Sequence, residues 1–143
     1  MSFGIAGTDE ALKDGTTYVH HAADLWSLVD PRRGEAIRRW LRDEWGPHDD
    51  DPDIEVYDVD SLGRLLELVE GLGQALRAQV TDRDYRVDAD GAARIRAREP
   101  TLVDSWQEDG RDVFTLANRM GEVDQVIDLV KRAIALDRSI EVG

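Results

Sequence analysis

Apolar residues recur along this chain at two spacings, and the switches between them divide it into elements. From Thr17 to Val29 the apolar positions Tyr18, Ala22, Leu25, Trp26 and Val29 fall at i, i+4, i+7, i+8 and i+11, one face of a helix. Asp30-Pro31 resets the chain, with Asp30 suited to an N-cap and Pro31 to the first helical position, which needs no amide hydrogen. A second helix then runs to about Trp45, burying Ile37, Trp40, Leu41 and Trp45, and Gly46-Pro47 stops it. Ile54 to Val59 alternates acidic and apolar residues and predicts a strand. Leu62, Leu65, Leu66, Val69, Leu72, Leu76 and Val80 then line one face of a long helix, opened by Asp60 or Ser61 and interrupted by Gly63, Gly71 and Gly73.

The second half is shorter in its rhythm. Asp84 to Val87 reads as a strand turning through Asp88–Gly91 into a return at Ala93–Ala97, a stretch that equally suits a short helix ending before Pro100. Thr101–Gln107 and Arg111–Ala117 predict a hairpin joined through Glu108-Asp109-Gly110, because Asp-Gly between apolar segments is a strong turn signal. Gly121 to Leu136 carries a last helical stripe of Val123, Val126, Ile127, Val130, Ala133 and Ile134, and Ile140–Val142 is expected as an edge strand. Residues 1–15 show little apolar pattern and are expected to form a flexible arm.

Together these elements predict one α+β domain over residues 16–143: a helical pair at 16–46 beside a small mixed or antiparallel sheet with two long amphipathic helices at 54–143. Strand-turn-helix recurs at Ile54–Leu76 and Val113–Ile134, and the order resembles a ferredoxin-like split βαβ plan with an extra hairpin.

Charge changes the picture most. The chain has 143 residues, enough to bury a core without staples, and carries 18 basic against 31 acidic side chains for a net charge of −13. Such a field repels phosphate backbones and favours basic partners, so no nucleic-acid binding is expected. No apolar run approaches a membrane span, and no N-terminal segment has the layout of a secretory signal. With no cysteine, disulfides, thiolate catalysis and zinc–thiolate sites are excluded, and a cytoplasmic setting is expected. The acidity has two readings, salt adaptation or a partner-directed surface.

Candidate chemistry is thin. His20 and His21 are adjacent on a helix and point about 100° apart, so they cannot hold one ion together. Asp24 lies four residues after His20 on the same face, a pair that could bind a metal or form a general-base couple, with a simple helix-surface hydrogen bond as the favoured reading. His48, Asp49, Asp50, Asp51 and Asp53 form the densest set of hard ligands, and His48, Asp49, Asp51 and Asp53 are weak metal candidates. Asp49, Asp51 and Asp53 have the alternate spacing that opens a calcium loop, but Ile54 stands where that loop needs glycine and Asp60 where it needs glutamate. A solvated acidic linker accounts for them better. Asp82, Asp84, Asp88 and Asp90 with Gly91 read as a turn. No nucleophile elbow or phosphate-binding glycine loop occurs, since Gly71-Leu72-Gly73 sits inside helical periodicity rather than after a strand. No catalytic residue or cofactor is therefore expected.

The arginines stand out instead. Arg32, Arg33, Arg38, Arg39 and Arg42 crowd one segment, interleaved with Trp40 and Trp45, the composition of interface hot spots. Arg38, Arg39, Arg42 and Trp45, with Asp49, Asp50, Asp51 and Asp53, are the candidate partner-binding residues. The bland alternative pairs these arginines with the chain's own aspartates and places the tryptophans in the core. The leading expectation is a non-enzymatic acidic protein-binding domain, in one form an immunity-type inhibitor of a basic toxin. A structural subunit of a viral or cellular assembly, contacting copies of itself, and a divalent-metal-binding domain or hydrolase are the alternatives.

Overall fold

A computed structural model describes every residue from Met1 to Gly143. The fold is α+β, with six helices and two separate antiparallel sheets. The helices are α1 (Gly15–Ser27), α2 (Pro31–Asp43), α3 (Val59–Val69), α4 (Leu72–Gln79), α5 (Ala89–Arg98) and α6 (Ala117–Ala135). The strands are β1 (Phe3–Ile5), β2 (Ala11–Leu12), β3 (Gly46–Pro47), β4 (Glu55–Tyr57), β5 (Arg86–Val87), β6 (Asp104–Glu108), β7 (Arg111–Thr115) and β8 (Ile140–Val142). The larger sheet has the order β2-β1-β8-β4-β3 and the smaller one β5-β7-β6. No pair is parallel, and the strands expected to share one ferredoxin-like sheet are divided between two.

The helical pair forms as its spacing predicts. Pro31 opens α2, and α1 packs along α2 and α6. The helices approach closely at Gly34, where a Cβ would stand 2.6 Å from the carbonyl oxygen of Ala23. The long stripe from Leu62 to Val80 is two helices rather than one. Glu70 is extended and Gly71 adopts φ 84°, a left-handed conformation that glycine enters without steric cost. The stripe stays continuous because Leu62, Leu65, Val69, Leu72 and Leu76 are all buried on one side of both helices. The cap of α3 is Asp58, not Asp60 or Ser61; its Oδ1 accepts the Ser61 amide at 2.7 Å.

The segment after Val87 is the helix of the two readings. Asp88 caps α5 by accepting the Gly91 amide at 2.6 Å, and Ala92 and Ile95 are its buried positions. The hairpin β6–β7 forms through Asp109-Gly110, with φ 53° and 77° and Glu108 opposite Arg111.

Two expectations about the chain ends are corrected. Residues 1–15 are not an arm: Phe3 and Ile5 are buried in β1, and Phe3 packs where Gly15 leaves room. The strand β8 is not at an edge but lies between β1 and β4 as the middle of the five-stranded sheet. Each of these strands is three residues long, too short for a periodic signal, and their partners lie at the far end of the chain.

The inner face of the large sheet presents Phe3, Ile5, Tyr57, Ile140 and Val142 to the helices. Glu141 and Val56 lie opposite each other on the outer face, so Val56 serves the surface and Tyr57 the core. Tyr57 is fully buried and its hydroxyl has no hydrogen-bond partner. Burial, reinforced by the Glu55 charge, pushes the phenol well above its usual range, so it stays protonated. A buried unpaired hydroxyl costs about 1–3 kcal/mol. Tyr57→Phe is therefore expected to stabilise the fold by about 1 kcal/mol in urea unfolding. A loss of stability on that scale would mean the hydroxyl has a bonding partner.

Candidate interaction surface around Trp45

Three aromatic rings run from the core to the surface where α2 meets the large sheet. Trp40, buried on α2, donates its indole Nε1–H to the carbonyl of Ser61 at 2.8 Å. Its ring stacks on Tyr57 with centroids 4.2 Å apart, and Trp45 stacks on Tyr57 at 5.5 Å with the planes 8° apart. Trp45 is half-buried, so one face of a large amphipathic ring is held in place by core aromatics.

Three hollows meet around this ring and the last turn of α2. A groove of about 460 Å³ is lined by Thr16, His20, Arg38, Leu41, Arg42 and Trp45. A broad open basin of about 690 Å³ lies on the other side of Trp45, over the outer face of the sheet. Asp43, Glu44, Asp49, Asp50 and Asp58 line that basin, with His48 and Val56. A smaller hollow of about 220 Å³ takes in Arg39, Trp40, Asp43, Glu44 and Arg64. Of the eight candidate partner-binding residues, Arg38, Arg39, Arg42, Trp45, Asp49 and Asp50 line these adjoining hollows, while Asp51 and Asp53 are exposed in the loop beside them.

The two charge types behave differently. Arg38 donates to Asp24 Oδ1 at 2.7 Å and lies 3.9 Å from both Glu35 and Glu99. Arg42 pairs with Glu35 at 3.3 Å. Burial and the nearby Asp24 carboxylate push Glu99 above its usual range, against the opposing pull of Arg38 and Arg98. Arg38 and Arg42 thus satisfy the chain's own acids, and Arg39 alone of the three forms no ion pair. The loop carboxylates are the reverse: Asp49, Asp50, Asp51 and Asp53 all lie outside the chain's ion pairs.

Local hydrogen bonds shape that loop. The Asp53 amide donates to Asp51 Oδ1 at 3.1 Å, and the Asp50 amide donates to His48 Nδ1 at 3.2 Å. His48 Nε2 lies 3.6 Å from Glu141, beyond hydrogen-bond distance. No three histidine or carboxylate side chains, His48, Asp49, Asp51 and Asp53 included, converge in a metal-ligating group. The His20–Asp24 couple does not form either. Asp24 turns to Arg38, and His20 stands exposed at the groove.

No protein-family model, curated protein or solved structure matches the chain.

The sequence reading weighed His21 only as a neighbour of His20 and did not single out Glu122 or Arg119. His21 Nδ1 meets Glu122 Oε2 at 2.7 Å, Glu122 Oε1 accepts from Arg119 at 2.7 Å, and Arg119 reaches Asp104 at 3.5 Å. This chain of polar groups ties α1 to α6 and to the base of the hairpin. Neither His21 nor Glu122 lines the hollows around Trp45. The signal for His21 lay in the spacing: it is three residues after Tyr18 and four before Leu25, on the stripe that faces the core.

Proposed function

We propose that this chain is a non-enzymatic, acidic protein-binding domain that takes a basic partner on the surface centred on Trp45. The observation carrying this reading is a rigidly backed, half-exposed tryptophan beside a basin in which Asp43, Asp49 and Asp50 have no cationic partner within the chain, although Glu44 pairs with Arg64 and Asp58 caps α3. A fixed aromatic anchor loses little conformational entropy on contact, and a charged rim steers the encounter. An immunity-type inhibitor, closing over the positive active-site face of a basic toxin such as a nuclease, is the concrete form that suits this chemistry. The opposite charges would make association fast and strongly salt-dependent.

The test titrates the isotopically labelled protein with a deca-arginine peptide at low ionic strength. The largest amide and indole shifts are expected between Asp43 and Asp53, with Trp45 among them. Replacing Asp43, Asp49, Asp50 and Asp53 by asparagine is expected to weaken binding about tenfold or more, equivalent to about 1.4 kcal/mol. Asp51 is kept because it holds the loop. A control of equal charge, Glu67→Gln with Glu70→Gln, Asp128→Asn and Asp137→Asn, removes exposed carboxylates elsewhere. Equal weakening by both variants would reduce the effect to net charge and remove the surface from consideration.

A further inference from the structure

The margins of the two sheets are unequal. Three of the four outermost strands, β2, β3 and β5, are two residues long, and β3 contains Pro47. Short strands and proline are the usual ways of closing an edge to further pairing. The fourth, β6, runs five residues and pairs only with β7.

The register of the hairpin identifies the open groups. Glu108 and Arg111 flank a two-residue turn, so Glu108, Trp106 and Asp104 direct their backbone groups at β7. Ser105 and Gln107 direct theirs outward. Neither residue's backbone takes part in the chain's turn and loop hydrogen bonds, and both are exposed. Four backbone groups, two N–H and two C=O, are therefore presented in strand geometry with nothing to bond.

The side chains along this edge alternate as a strand requires. Asp104, Trp106 and Glu108 share one face, and Trp106 is 43% exposed. On the other face Ser105 takes a hydrogen bond from Arg96 at 3.2 Å. Asp104 uses only Oδ2 on Asn118 and Arg119, and Glu108 uses only Oε2 on Arg86, so each keeps a free oxygen. The turn adds Asp109 and Asp112 against Arg111 as the one cation between Asp104 and Asp112.

We propose that the outer edge of β6 is a strand-addition site for an extended segment of a partner protein, with an apolar residue flanked at i±2 by cations. The incoming strand runs antiparallel. Its backbone bonds Ser105 and Gln107, its apolar side chain lies opposite Trp106, and its cations lie opposite Asp104 and Glu108. A second copy of this chain is the wrong occupant. Two β6 edges paired about Trp106 would set Asp104 against Glu108 twice, and like charges directly opposite destabilise a strand pair. This edge belongs to the smaller sheet, and the inference does not rest on the Trp45 surface.

The probe is a pentapeptide, lysine-threonine-isoleucine-threonine-lysine, capped at both ends and titrated into the labelled protein. Its two threonines fall opposite Ser105 and Gln107. The expected result is saturable shifts confined to residues 104–108, with the Ser105 and Gln107 amides moving downfield and slowing in hydrogen exchange. N-methylation of the two threonines is expected to lower affinity at least tenfold while leaving the charges intact. Trp106→Ala is expected to weaken binding with the rest of the spectrum unchanged. The variant carrying asparagine at positions 43, 49, 50 and 53 is expected to bind this peptide as the native chain does, which separates this site from the Trp45 surface. Equal binding of the N-methylated peptide, shifts centred on Asp49–Asp53, or no saturable shift on β6 would each overturn the proposal.

Discussion

A chain shortened to end at Ser139 is expected to lose its folded state. The four residues removed contain β8, whose Ile140 and Val142 are buried and whose backbone joins the two halves of the large sheet. On one side Phe3 pairs with Val142 and Ile5 with Ile140; on the other, Glu55 pairs with Val142 and Tyr57 with Ile140. Without β8 the sheet falls into two separate ribbons, β1–β2 and β3–β4, and a two-stranded ribbon is marginal at best on its own. Burying one aliphatic side chain of this size contributes about 1.5–3 kcal/mol. Losing both, and uncovering Phe3 and Tyr57 as well, removes a sum comparable to the ~5–15 kcal/mol that holds a whole domain together. Circular dichroism and amide spectral dispersion are the measurements. A cooperative melt close to that of the full chain would show that β8 is dispensable.

Trp40→Ala is expected to cost about 3–5 kcal/mol, the usual penalty for truncating a buried large aromatic. The buried Ser61 carbonyl loses its indole donor and Tyr57 loses one of its two stacking partners, which places the cost toward the upper end. For a chain of this size the midpoint of thermal melting should fall by about 10 °C or more. Trp106→Ala and Arg39→Ala, at exposed positions without ion pairs, are expected to change stability by about 0.5 kcal/mol or less. Urea unfolding of the three variants reads the contrast directly. A small loss for Trp40→Ala would mean that Trp40 does little to hold Tyr57, the middle ring of the stack, and would weaken the case that Trp45 is rigidly backed.

That contrast marks where pattern stops informing. The helices α1, α2 and α6, the stripe of α3 and α4, and the hairpin at Asp109-Gly110 were legible because each is a local property. A 3.6-residue period, a proline at a first turn, or an Asp-Gly pair at positive φ acts within a few residues. Trp40 and Trp45 carried the same periodicity signal, yet one is buried and the other half-exposed, because Tyr57 from a distant strand lies between them. Arg38, Arg39 and Arg42 looked alike in the sequence. Their separation into paired and unpaired depended on where Asp24 and Glu35 lay in space.

Composition and local periodicity alone specified an acidic, cysteine-free α+β chain with a helical pair in its first half, and a cluster of carboxylates with no ligand pattern to recruit them. These follow from composition and from periodicities that repeat within one element. Only the tertiary structure decided that the two chain ends meet in adjacent strands, that β8 is central, and that β6 is left with an open edge. Strand neighbours are chosen by contacts between residues far apart along the chain, and a three-residue strand carries too few side chains to announce its partner.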